Sequence, residues 1–224
     1  MRPRQESPWN WAAHQRYLFV FLAILVILAS ISFVRAVPHV PVLLMVAVVT
    51  LAFGPLRLRS ASPRVKLLFL ALVALRALGL WIRSRGWVIV ADSAVLLVFT
   101  IGALAILRDV LTEPMVGLDT ILGGCSVYLL VGICFALAFS VNESIDPGAF
   151  LVGAQPLDPE YMRRIPQLVY LSFVVLTSVG FGDILPMSSS ARGLVMMEAI
   201  FGQLYLAILV ARLVSQYSSR TPEG

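Results

Sequence analysis

Thr177-Ser178-Val179-Gly180-Phe181-Gly182-Asp183 is the stretch on which the reading of this chain turns. Two glycines alternate with bulky apolar residues, and two hydroxyl residues stand in front of them. Glycine reaches backbone conformations that a Cβ resists. Gly180 and Gly182, set beside Val179 and Phe181, therefore let successive carbonyl oxygens turn toward one line. Closely spaced carbonyls can replace the hydration shell of a cation. The Thr177 and Ser178 hydroxyls extend that series of oxygens at one end. Gly-Phe-Gly-Asp could also be a plain surface turn, and the flanking segments argue against that.

Upstream, Pro166 to Leu176 is apolar but too short to cross a bilayer, so it reads as a re-entrant half-helix, with Pro166 suited to an early helical position. Downstream, Ala191 to Val214 is long enough to span. Five further runs qualify as spans: Tyr17 to Val34, Pro38 to Phe53, Val65 to Ile82, Trp87 to Leu107 and Ile121 to Phe139. The expected fold is an all-α membrane protein of six transmembrane helices plus the half-helix and its glycine-rich turn. The expected division is a tail over 1–16, a four-helix unit over 17–107, a linker over 108–120, a two-helix unit over 121–214 and a tail over 215–224. Within 121–214, a hydrated connection occupies 140–165, the half-helix 166–176, the glycine-rich turn 177–183 and the last helix 191–214.

Composition agrees, with 59% hydrophobic and 13% charged residues. The net charge of +5 rests on arginines and Lys66, and an excess of basic residues in a membrane protein belongs to cytoplasmic loops rather than to a nucleic-acid surface. Counting arginines over short loops places both termini in the cytoplasm and 140–165 outside. That outer connection includes Asn142-Glu143-Ser144, an acceptor triplet that has meaning only on a eukaryotic secretory route. Cys125 and Cys134 read as packing residues, His14 and His39 as interface residues, and Trp9, Trp11, Trp81 and Trp87 as anchors at helix ends. No metal-spaced acids and histidines, phosphate loop or activated nucleophile appears, so an enzyme is not expected and no cofactor is called for.

The unit from Ile121 to Val214 resembles the potassium channel superfamily, whose filter is usually written Thr-Val-Gly-Tyr-Gly-Asp behind a further Thr or Ser. The resemblance implies K+ as the permeant ion, held at Thr177, Ser178, Val179, Gly180 and Phe181, with Gly182 completing the filter and Asp183 at its mouth. One filter per chain implies a homotetramer, since four copies close each oxygen cage. It implies a multi-pass plasma-membrane protein among lipids, closest in character to bacterial channels, with any further regulation coming from an unidentified partner. Ser178 and Phe181 depart from the commoner residues. So does Val174, which stands where some relatives carry a glutamate bracing the filter aspartate. Phe181 also lacks the hydroxyl that would pair with pore-helix aromatics, leaving Tyr170 without that partner and the filter less rigid.

In the last helix, Gly202 falls where relatives often have a hinge glycine, although glycine is also common wherever membrane helices pack closely. Gln203, Leu206, Val210 and Val214 then form one stripe, a polar cavity residue above an apolar constriction. Glu198, about a turn before Gly202, is a carboxyl in an apolar helix. It is expected behind the filter, bonded to the pore helix or Ser172, with direct ion attraction and a protonation-linked gate as sharper alternatives. The fourth run lacks the spaced arginines of a voltage sensor, so voltage sensitivity is expected to be weak. Arg76 and Asp92 lie at matching depths and are expected to pair, the alternative being that each snorkels outward. A poorly selective cation channel, a secondary transporter and a non-conducting modulatory subunit remain the competing functions.

Overall fold

The structure, a computed structural model, describes residues 16–31, 84–113 and 117–218. Helix α1 (Arg16–Ile31) is followed by α2 (Arg85–Thr112) and α3 (Leu118–Ile145). Next come β1 (Phe150–Val152), β2 (Gln155–Pro156), α4 (Tyr161–Leu176), β3 (Ile184–Pro186) and α5 (Ser189–Ser218). Among the described residues, α2, α3 and the Ser189–Arg212 part of α5 are long and apolar enough to cross a membrane. At 28 residues, α2 and α3 each extend about 42 Å, well beyond a hydrocarbon core of about 30 Å. Helix α4, at 16 residues, reaches only about 24 Å and ends in the glycine-rich turn. The second and third apolar runs of the sequence lie outside the described residues.

Three expectations are corrected. Helix α2 continues past Leu107 to Thr112, so the connection to α3 is much shorter than 108–120; the Ser84 hydroxyl accepts from Trp87 N at its start, and the Glu113 amide bonds Asp109 O at its end. Helix α4 begins at Tyr161, not Pro166. The Arg163 and Arg164 amides bond Glu160 O to form the first turn, and Pro166 sits within the helix, where it removes one backbone donor. The region 140–165 is not simply a hydrated loop. It holds the end of α3, strands β1 and β2 and the first residues of α4; the two strands join β3 in a three-stranded antiparallel sheet of order β2-β1-β3, so the fold is not purely helical.

The sheet forms because Gly153, at a φ of +60°, opens a two-residue turn that pairs Val152 with Gln155 and Leu151 with Pro156. The other edge of β1 pairs Leu151 with Leu185 and Val152 with Ile184, just after the filter stretch. Glu143, near the end of α3, accepts from Gly148 N at 2.8 Å and Phe150 N at 3.1 Å, fixing where the chain leaves the helix. Phe150 and Phe139 are fully buried with Leu168 of α4 and Ile184 of β3, so apolar packing ties this small sheet to the helices. A second core joins α1, α2, α3 and α5 through residues such as Val20, Phe99, Ile106, Val127, Leu130 and Tyr205.

Candidate functional site

The filter stretch leaves α4 at Thr177 and follows an alternating backbone. Ser178, Gly180 and Gly182 have φ values of +59°, +59° and +74°, while no positive φ occurs at Val179 or Phe181. Alternating positive with negative φ can turn successive peptide planes the same way, with amides toward one side and carbonyls toward the other. The first four amides are engaged with α4. Thr177 N bonds Phe173 O at 3.0 Å, Ser178 N bonds Val175 O at 2.9 Å, and Val179 N and Gly180 N share Val174 O at 3.0 and 3.3 Å. Among the described residues, no hydrogen bond is accepted by a carbonyl of 177–182. A backbone oxygen without a protein partner must meet water or a ligand. Here six in succession lie on a stretch that is exposed throughout in the single chain.

The positive φ at Ser178 has no glycine to announce it in the sequence. Its amide bond to Val175 O holds the conformation from one side, and Gln203 of α5, whose Nε2 donates to Ser178 Oγ at 2.6 Å, reaches it from the other. Gln203 therefore sits at the inner end of the filter stretch. Leu206, Val210 and Val214 continue down the same helix and are all exposed in the single chain.

At the outer end, Tyr170 of α4 does not lack a partner. Its ring lies parallel to that of Phe181, with centroids 6.4 Å apart and planes within 2°, and its hydroxyl is on the side of the Asp183 carboxylate, with which it interacts. Tyr170, one turn before Val174, is thereby the α4 side chain placed to brace Asp183. Val174 contributes through its backbone, as the carbonyl on which two filter amides converge. Asp183 is also fixed by its own backbone, since its carbonyl accepts from Gly153 N at 3.0 Å and Ile184 N donates to Oδ1 at 3.1 Å.

Gly202 packs against the C-terminus of α4. A Cβ there would collide with the Leu176 carbonyl oxygen and come within 3.1 Å of Leu176 Cδ1. The close-packing reading of this glycine therefore has a specific contact behind it. Leu176 O also accepts from Tyr128 of α3 at 2.9 Å. Glu198 is fully buried, and Ser172 Oγ lies 2.5 Å from its Oε1, which places the acid behind the filter against α4.

Asp92 does not snorkel. It is fully buried, accepting from Ser140 Oγ of α3 at 2.6 Å and from Tyr161 OH of α4 at 2.8 Å. Arg76 lies outside the described residues. Arg164, also buried, stacks on Tyr161 at 5.7 Å and donates to Ser144 Oγ at 2.9 Å, so Asp92 and Arg164 both join α4 to the helices before it. Sequence reasoning missed Ser140, Tyr161 and Arg164. The only signal for the last two was an aromatic and a basic residue just before the apolar stretch that begins at Pro166.

Residues 156–219 match the family described as ion channel. The matched part runs from β2 through α4 and the filter stretch to the end of α5, and it is the segment of a channel rather than of an enzyme. No curated protein and no solved structure matches the chain. With three apolar helices of spanning length among the described residues, the chain is a membrane protein, and its residues 156–219 are similar to an ion-channel family.

Proposed function

We propose that this chain is one subunit of a homotetrameric potassium-selective channel, conducting K+ passively across the plasma membrane with little voltage sensing of its own. The observation that carries the reading is the division of the filter backbone. Its first four amides bond back to α4, and its carbonyls from Thr177 to Gly182 are left without protein donors. A line of free carbonyl oxygens is the ligand set for a cation stripped of water. Thr177, Ser178, Val179, Gly180 and Phe181 hold K+ in this proposal, Gly182 completes the ladder and Asp183 sets the mouth.

The need for further copies follows from burial. Half of the apolar stretch of α3 is buried within the chain, but only 11% of that of α5. Lipid can cover the apolar part of that deficit. It cannot cover the adjoining filter carbonyls or Gln203, because polar groups facing hydrocarbon without partners cost several kcal/mol each. Copies of the same surface around a fourfold axis cover both and bring four filters together. The stripe of Gln203, Leu206, Val210 and Val214 then lines the cavity, with Gly202 holding α5 against the pore helix above it.

Potassium against sodium flux into liposomes containing the purified full chain tests the proposal, with Gly180→Asp as control. Potassium flux exceeding sodium by at least about tenfold, and lost in the control, is expected. Equal fluxes of the two ions would refute selectivity in favour of a general cation pore.

A further inference from the structure

Glu198 is the fully buried acid of α5, and its surroundings can be audited donor by donor. Ser172 Oγ makes two short contacts, one of 2.6 Å to the Gly132 carbonyl of α3 and one of 2.5 Å to Glu198 Oε1. A serine hydroxyl has one proton to donate and two lone pairs with which to accept. The Gly132 carbonyl can only accept, so the serine proton is directed to it. The contact with Glu198 then needs a proton supplied by Glu198. If the acid were ionised, Ser172 would face two pure acceptors with a single hydrogen, and one of the two short oxygen pairs would be repulsive.

The rest of the environment points the same way. Glu198 Oε2 is buried and has no hydrogen-bond partner among the described residues. The neighbouring Tyr128 of α3 has its own proton committed to Leu176 O at 2.9 Å. Among the described residues no lysine, arginine or histidine forms an ion pair with Glu198. A buried carboxylate with a bare oxygen and no cation is far costlier than a neutral acid with a bare carbonyl oxygen.

We propose that Glu198 is a neutral carboxylic acid that donates to Ser172, which donates in turn to the Gly132 carbonyl. This relay ties α5, α4 and α3 together behind the filter. Glu198 is thereby a positioning residue. It touches no permeant ion, and its effect on the filter passes through Ser172, two residues before Val174, whose carbonyl holds the filter amides. A proton is needed at Glu198 for the relay to close, and ionisation opens it.

Infrared spectra of the full chain in lipid bilayers at neutral pH, wild type minus Glu198→Gln, test this whether or not the protein conducts. The expected difference is one hydrogen-bonded carboxylic-acid carbonyl band that shifts on deuteration and vanishes in the variant. A carboxylate pair of bands in its place would overturn the proposal. Glu198→Gln keeps a donor at the same position, and the expectation is tetramer yield and potassium flux within about twofold of wild type, whereas Glu198→Leu lowers both about tenfold. A Gln variant as defective as the Leu variant would likewise overturn it, because the relay needs only a donor at that atom.

Discussion

Replacing Gly202 with alanine distinguishes packing from hinge. In a helix interior, Gly→Ala by itself stabilises by about 1 kcal/mol, through backbone entropy and helix propensity. At Gly202 the added methyl meets the Leu176 carbonyl oxygen and approaches Leu176 Cδ1 at 3.1 Å and the carbonyl carbon at 3.3 Å. A side chain could rotate away, but a backbone carbonyl at the end of α4 cannot, and this one already accepts from Tyr128. Overpacking of this kind costs about 1–3 kcal/mol, toward the upper end when backbone must move, so the net effect is a loss of about 1–2 kcal/mol per subunit. Gly193, on the same helix, has nothing within 4 Å of its would-be Cβ and serves as the control.

The assay is thermal unfolding of the detergent-solubilised protein, followed by loss of the native oligomer, together with liposome flux. Gly202→Ala is expected to melt below wild type and to lower potassium flux, while Gly193→Ala melts at or above wild type. A Gly202→Ala protein as stable as the Gly193→Ala protein would refute the packing argument. If its flux were altered at the same time, the glycine would be acting as a hinge.

Two further outcomes are expected. Tyr170→Phe keeps the stack on Phe181 but removes the hydroxyl at Asp183; initial selectivity should hold while flux falls more steeply than in wild type as external potassium is lowered, and identical potassium dependence in the two proteins would count against the brace. Tyr161→Phe removes one of two hydroxyls from the buried Asp92 and should destabilise the protein by about 1–2 kcal/mol, with Asp92→Asn in the same background recovering part of the loss; a melting temperature unchanged by Tyr161→Phe would show that the contact contributes nothing.

How far the sequence reached depended on the range of the interactions concerned. The backbone turn of 177–183 was legible because its requirement is local, and glycine at 180 and 182, both at positive φ, states it directly. Ser178 adopts the same left-handed conformation, yet nothing in its side chain signals this, because the conformation is imposed by Val175 O and Gln203 from two other elements. Apolar length made α2, α3 and α5 visible. The sheet was not, since strands of two or three residues carry no usable period and Pro156 and Pro186 read as strand breakers. Each sits at a sheet position that a single-sequence reading cannot anticipate. Pro166 reads as a boundary in sequence, yet the helix already has its first turn before it. The partners of Asp92, at Ser140 and Tyr161, come from distant parts of the chain, and equal depth in neighbouring helices could suggest Arg76 but not those hydroxyls.

The contacts around the end of α4 converge on one residue. Leu176 is fully buried, and its side chain packs where a Cβ on Gly132 would approach to 3.2 Å. Its carbonyl accepts from Tyr128 of α3 and supports Gly202 of α5. The next residue is Thr177, whose hydroxyl caps Phe173 O at 2.6 Å and whose backbone begins the filter. The stretch 177–183 is thus attached at its start to a peptide unit held by α3 and α5 together. Cores packed this closely are bistable rather than continuously deformable. A displacement of α5 at Gly202 must therefore either leave the Leu176 carbonyl in place, with the filter unchanged, or carry it along and change the filter. Lower down the helix, Arg212 donates to the Leu111 and Glu113 carbonyls at the end of α2, at 3.1 and 3.2 Å. Helix α5 is thus held at two places, at the Leu176 peptide beside Gly202 and, through Arg212, at the end of α2.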